Sequence, residues 1–539
     1  MNLEETRKFL RHWLLLLGAA CVWFAWDSRY VRNIWFMAVV GMGVVCGILF
    51  FLTRALIPVL IEKISSPKSK TTVWAAFSVV SLTLTVLFFT LKFHIFNYGS
   101  GRFAFSVGIS GVFALLFSNQ GKSSPYPEFA KCLLVFGLLH RAWAFVPEIQ
   151  SGPFALGWSE GSRFYNASLF ASESLYGVRL PLPVLHPSRY LMQALPFFVG
   201  IRSILFHRIW QVALWIGMTL WGSWLMAKRL ATTKQVSLAW LTALLFLFFF
   251  QGAVYYHLMV CVVLVLVGYK KDKPVRTAVF VVLASAWAGI SRVNWMPVPG
   301  LMATAMYLLD WPFDGKKWFR YLLTPVIWVV GGFAAAILAK QGYIAISGEN
   351  PALFDSAFSS ALLWRRLLPN ATFFLGILPA ILLVMLPGVA LLWLKFRQKS
   401  LPAMHWMQWL GLAGILFVFF AGGLVVSVKI GGGGDLHNLD AFLVFWALIV
   451  GGILASSPNP QKAQPPASSS QAWKFWMAVA VIVPVFFAFM RSGSWLFGSA
   501  QAQGADLTSF KNAMAVLKEE GGDVLFISER QLLSFGELD

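Results

Sequence analysis

Apolar runs long enough to cross a bilayer recur along the whole 539-residue chain, and that recurrence leaves few folds open. About twenty apolar residues in a helix span the hydrocarbon core, and about fifteen such stretches, some shorter, can be marked. They lie near 9–26, 33–53, 72–91, 103–118, 129–146, 207–226, 237–254, 256–269, 277–290, 296–310, 321–340, 372–394, 407–427, 440–455 and 473–490. With 58% hydrophobic and 12% charged residues and a mean hydropathy of +0.70, the chain is expected to be an all-α polytopic membrane protein, integral to the lipid bilayer.

The net charge of +21 is spread through short loops and forms no patch, so positive-inside topology accounts for it and nucleic acid is not a partner. The loops "IEKISSPKSK", "AKRLATTK", "YKKDKPVR", "DGKKWFR" and "LKFRQK" all fall on one side if the N-terminal "EETRKFLRH" is cytoplasmic. The C-terminus is then extracytoplasmic. "LLLLGAAC", ending at Cys21, has Gly18 where a lipoprotein signal wants leucine, and its apolar run continues, so 9–26 is read as an uncleaved span. All four cysteines (Cys21, Cys46, Cys132 and Cys261) lie in apolar runs without metal spacing and read as small buried hydrophobes.

Three outward segments carry the polar chemistry. The first, about 147–206, contains "GWSEGSRFYNASLF". Two readings of Glu160 stand. It is an ordinary loop carboxylate paired with Arg163 one turn on, or it is a reactive acid held at the membrane face by Trp158, Phe164 and Tyr165. If 159–175 is one interfacial helix, Glu173 lies about 220° around from Glu160, so the two acids do not share a site and a single base is expected. Further on, "PVLHPSRYLMQALPFF" places His186 before Pro187, a first-turn residue, and Arg189 in that turn. A cation beside a helix N-terminus makes an anion site; a capped interfacial or re-entrant helix is the plainer reading.

Arg292 and Asn294 sit in a short outward turn, "SRVNWMPVPG". The second segment, 341–371, carries Arg365 and Arg366, which read as anchors. The third, "KIGGGGDLHNLDAF", holds Lys429, Asp435, His437, Asn438 and Asp440. Lys429 with the glycines can grip a phosphate, helped by His437 and Asn438, or it can simply snorkel to the headgroups. The acidic and histidine spacing fits no metal template, so a divalent cofactor is possible chemically but not indicated. No Walker-type loop is present. The sequons at Asn166 and Asn370 matter only in a eukaryotic secretory compartment.

With an acid in the first outward loop, a following aromatic helix and then "PLPVLHPSRYL", the chain resembles the GT-C superfamily of polytopic glycosyltransferases. Its layout is similar to that of bacterial protein O-mannosyltransferase and aminoarabinose-transferase relatives. "KIGGGGDLHNLDAF" is similar to a late outward loop of such enzymes. The family usually has Asp or Asp-Glu where this chain has Glu160 followed by Gly161. The resemblance covers roughly 129–455. It implies a GT-C-like helix bundle with interfacial helices in the first large loop, residing in a bacterial plasma membrane.

On that resemblance the donor is a polyprenyl-phosphate-linked sugar and the acceptor an extracytoplasmic glycan, lipid or protein. Glu160 would act as general base with inversion, and Arg163, His186, Arg189, Arg292, Asn294, Lys429, His437 and Asn438 would contact donor phosphate or sugar. A lipid or oligosaccharide transporter and an O-antigen polymerase or ligase are the rival expectations. The division expected is a transmembrane module at 1–128, a catalytic core at 129–455, a cytoplasmic Pro/Ser linker at 456–472, a last span at 473–490 and an extracytoplasmic segment at 491–539. That last segment reads as a helix followed by the strand "DVLFIS", a small α/β unit that stops so early that the chain is expected to be incomplete there.

Overall fold

The computed structural model describes residues 3–28, 37–50, 69–90, 94–121, 123–156, 159–231, 237–313, 315–358, 361–429, 434–456, 470–490, 500–521 and 532. Trp158, most of the glycine run at 431–434, the linker from 457 to 469 and the expected strand at 523–528 lie outside them. Among the described residues all regular structure is helical, save one antiparallel bridge between Leu362 and Lys429. Among the described residues nine helices are long and apolar enough to cross a membrane.

The first helices are α1 (Leu3–Asp27), α2 (Met37–Phe50), α3 (Lys70–Thr90), α4 (Gly99–Gly121) and α5 (Pro125–Trp143). They pack through an aromatic-rich core in which Phe77 meets Phe117 and Phe136 edge-on, the preferred geometry for rings carrying a quadrupole. Then come α6 (Glu160–Ser168), α7 (Ser172–Tyr176), α8 (Pro187–Phe198), α9 (Ile204–Leu230), α10 (Leu238–Gln251), α11 (Tyr256–Gly268), α12 (Pro274–Gly289) and α13 (Val298–Asp310). The remainder are α14 (Trp318–Ser347), α15 (Ile377–Arg397), α16 (Trp406–Ser427), α17 (Asp440–Ala455), α18 (Gln471–Met490) and α19 (Ala500–Glu520).

A second core joins α9 to α17. Its central helices, α11 and α17, are apolar on nearly every side and buried on nearly every side, as a helix surrounded by others must be. At 14 and 13 residues, α10 and α11 reach only about 20 Å each by helical rise, short of the roughly 30 Å hydrocarbon core. The packing does not divide at residue 128. Helix α5, expected to open the second unit, packs on α4 and α18, and α18 also packs on α15, so the last span joins the two cores. Phe129, Leu133 and Phe136 face the N-terminal aromatics, which is why α5 sides with them.

The expected single helix over 159–175 is broken. A 3-10 turn at Leu169–Ala171 separates α6 from α7. Serines flank the break. The Ser168 hydroxyl bonds the Tyr165 carbonyl and the Tyr176 hydroxyl, both at 2.7 Å, and the Ser172 hydroxyl accepts from the Leu180 amide at 3.1 Å. Such side chains offer the backbone alternatives to the helix ladder. Phe164, Ala167, Ala194, Phe197 and Ile204 form a small core under α6, α8 and the start of α9. His207 fits between Phe164 and Phe197, at 4.6 and 4.0 Å between ring centroids.

Candidate functional site: an arginine-lined cavity at one end of the bundle

The end of α5, the start of α6, α8, α9 and α11, and the residues before α17 converge around a cavity of about 320 Å³. Its wall includes Glu148, Glu160, Asp435 and the guanidinium groups of Arg141, Arg163, Arg189 and Arg208, with Trp215 and Tyr255 as aromatic surfaces. A space of this size suits a small polar ligand. The described basic loops lie at the opposite end, where Arg229 pairs with Asp310 at 2.5 Å and Lys395 donates to the carbonyls of Ile453 and Ser456 that close α17.

Glu160 is the first residue of α6, where a carboxylate meets the positive helix end. Its ion-pair partner is Arg208, not Arg163. Arg208 Nε donates to Glu160 Oε1 at 2.8 Å and Nη2 to Oε2 at 3.1 Å. Glu160 Oε2 also accepts from the Leu156 amide at 2.6 Å. The remaining guanidinium hydrogens go to the carbonyls of Gln150, Gly152 and Phe154 at 2.6, 2.7 and 2.9 Å. Five N–H groups is all that an arginine has, so Arg208 staples the 150–156 loop to α6 completely. Arg163 instead donates to the Ser159 hydroxyl at 3.0 Å. Burial, and Arg189 after it, pull its guanidinium below the ordinary arginine value.

Arg189 and Arg292 come from distant segments and meet over one ring. Their guanidinium carbons lie 5.0 and 4.8 Å from the centroid of Tyr255. A seam between the segments places them. The hydroxyls of Ser188 and Ser291 bond at 2.6 Å, the Ser188 amide donates to the Ile290 carbonyl at 3.0 Å, and His186 Nδ1 donates to the Ser291 carbonyl at 3.1 Å. To reach that carbonyl His186 adopts a left-handed backbone, φ 51°, a conformation that costs a side-chain-bearing residue on the order of 1 kcal/mol. Burial first, then Arg292, pushes the His186 imidazole down to about 3, so it is neutral near neutral pH.

Arg292 Nη1 reaches Asp440 Oδ2 at 3.4 Å, and Asp440 Oδ1 accepts from Trp295 Nε1 at 2.9 Å and the Ala441 amide at 2.7 Å. His437 Nδ1 pairs with Asp435 Oδ1 at 2.6 Å, and its ring lies 6.2 Å from that of Tyr255. The Nε atoms of Arg163, Arg189 and Arg292 are buried without a hydrogen-bond partner among the described residues. Buried donors of this kind are ordinarily satisfied, and two of the three belong to arginines of the cavity wall, Arg163 and Arg189.

The structure therefore brings Glu160, Arg163 and Arg189 into one wall, with His186, Arg292 and His437 close behind around Tyr255. Asn294 and Asn438 occupy the 3-10 turns Val293–Trp295 and His437–Leu439, which carry the Arg292–Asp440 contact. Lys429 is held through its carbonyl, which accepts from Arg366 Nη1 at 2.7 Å, so Arg366 serves as an anchor. Among the described residues, the cavity wall includes none of Asn294, Asn438 and Lys429. Glu173 is exposed and is not among the wall residues, although the helix break removes the angle from which its separation from Glu160 was expected. The single-acid picture is nonetheless incomplete, since Glu148 and Asp435 share the wall.

Sequence reasoning missed Arg208, Arg141, Glu148 and Tyr255. Arg208 left a readable signal: a lone arginine in the first turns of an apolar span, "HRIWQVALWIG", is costly unless paired. No three His, Cys, Asp or Glu side chains gather as metal ligands among the described residues. Comparisons of the chain with protein-family models, with curated proteins and with solved structures give no match.

Proposed function

We propose that this protein is a membrane glycosyltransferase that moves a sugar from a polyprenyl-phosphate-linked donor to an extracytoplasmic acceptor, with inversion at the anomeric carbon. The observation that carries the reading is the cavity. It joins the first outward segment, Tyr255 and the residues before α17 around Arg163 and Arg189, whose Nε atoms have no hydrogen-bond partner among the described residues, at the bundle end away from the described basic loops. Under the positive-inside rule that end faces outward, where a lipid-borne donor meets an outside acceptor. The leaving group is a phosphate, so fixed cations in a partly dry site stabilise the charge that grows on it. Arg163 and Arg189 stand in the wall for that task, with Arg292 behind Tyr255.

A transporter would spread ionisable groups along a path through the bilayer. Every buried Arg, Lys, Asp, Glu or His among the described residues lies within a turn and a half of its helix end, which speaks against such a path. The reading is tested by binding a radiolabelled polyprenyl-phosphate sugar to the purified protein. Saturable binding that polyprenyl phosphate competes away, and that Arg189→Ala weakens, supports it. Binding that Arg189→Ala and Arg163→Ala both leave untouched removes the cavity from donor recognition.

A further inference from the structure

The resemblance assigns the acceptor's proton to Glu160, but the geometry points to another carboxylate. Three of the roughly four lone-pair positions of the Glu160 carboxylate are taken by Arg208 Nε, Arg208 Nη2 and the Leu156 amide. Arg208 is only 4% exposed in its side chain. A proton placed on Glu160 would leave that guanidinium charged and uncompensated in a buried position, which is strongly unfavourable. Glu160 holds Arg208, and Arg208 holds the loop.

Glu148 stands at the other end of the same stapled loop. It closes the 3-10 turn Val146–Glu148, its amide bonded to the Phe145 carbonyl at 3.0 Å, and Ile149 bonds back to Val146 at 3.0 Å. Two residues later the Arg208 staple begins, at Gln150. The backbone is thus fixed on both sides, and the side chain enters the cavity wall. Among the described residues no hydrogen bond or ion pair engages its carboxylate. Its charged neighbours are Arg141, Arg163, Arg208 and Glu160. A bound donor phosphate offsets the cations among them, and so makes Glu148 a better proton acceptor when substrate is present than when the cavity is empty.

We propose that Glu148 is the general base and that the Glu160–Arg208 pair positions it; this rests on the transferase reading above. The acceptor hydroxyl passes its proton to a Glu148 carboxylate oxygen as its own oxygen bonds the anomeric carbon. The anomeric carbon–oxygen bond to phosphate breaks, and its electron pair leaves with the polyprenyl phosphate, whose charge meets Arg163 and Arg189. Glu148 then gives the proton to water.

The test uses the full chain in lipid nanodiscs, with a radiolabelled polyprenyl-phosphate sugar and cell-envelope acceptors, and measures turnover and donor Kd separately. Glu148→Gln is expected to lower kcat about a hundredfold or more with donor Kd within about threefold of wild type. Formate should restore part of the turnover of Glu148→Ala, and none to Glu160→Ala. Glu160→Gln should lose turnover in step with its loss of folded protein. Undiminished kcat in Glu148→Gln, or formate rescue at Glu160→Ala alone, overturns the assignment while leaving the transferase reading in place. A wild-type protein that transfers no sugar overturns both.

Discussion

Ser188 and Ser291 share a hydroxyl–hydroxyl hydrogen bond of 2.6 Å, and the next residue in each segment is an arginine over Tyr255. Two stretches about a hundred residues apart in sequence are thereby locked in register, and that register converges two cations on one aromatic surface. A buried cation favours a negative partner; Asp440 answers Arg292, and the donor phosphate is proposed to answer Arg189.

Removal of either cation should therefore be felt in donor recognition. Arg189→Ala is expected to raise the apparent donor KM, or lower kcat, by about tenfold or more, since a hydrogen bond to a charged group contributes about 1.5–3 kcal/mol. Tyr255→Leu keeps both charges and removes the ring beneath them, so its effect should be smaller, about threefold. Donor titrations at matched protein levels check both.

The Arg208 staple predicts a stability effect separate from chemistry. Truncating one member of a buried pair costs about 3–5 kcal/mol, so Arg208→Ala should lower the melting temperature and open the 150–156 loop to protease. Arg163→Ala, which removes a donor to the neutral Ser159 hydroxyl only, should do much less. Limited proteolysis of the two variants in the same detergent makes the comparison.

His186 predicts an acid-side loss of stability. Its folded value of about 3 lies below the roughly 6.5 of an unfolded histidine, so the unfolded chain binds a proton that the folded one refuses. The contribution is full above about pH 6.5 and declines as the pH falls from there toward 3. His186→Asn cannot titrate and should show a flatter melting-temperature profile between pH 7 and pH 4.5 than the wild type. Superimposable profiles would mean that His186 is solvated in the folded state.

Lys429 supplies a contrast. Its carbonyl joins Arg366 and it stands outside the described cavity wall. Lys429→Ala is therefore expected to leave donor KM and kcat within about twofold of wild type. A rise of tenfold would place this loop in the donor site.

The long apolar helices were legible because burial in lipid demands them, a signal spread along the length of α3, α14 or α16, although among the described residues nine rather than about fifteen reach spanning length. The site was legible only in outline. Glu160, Arg163 and Arg189 stood out as charges in an apolar chain, yet their partners depend on contacts that skip tens of residues. The Glu160–Arg208 pair spans 48 positions and the Arg292–Asp440 pair 148. A helical spacing rule sees Arg163 beside Glu160 but cannot see Arg208. Glu148 hid at the end of an apolar run, and the break in the 159–175 helix came from serine hydroxyls whose partners only the fold supplies.

The central claim is that a glycosidic bond is made at this cavity, and the fate of the donor's anomeric carbon tests it most directly. Membranes containing the protein are given a sugar-labelled polyprenyl-phosphate donor of known anomeric configuration, with envelope acceptors present. Labelled acceptor of inverted configuration and an equal amount of free polyprenyl phosphate are expected, both reduced about tenfold or more at subsaturating donor in Arg189→Ala. Donor that crosses the bilayer with its sugar–phosphate bond intact, and no labelled acceptor, would contradict that claim.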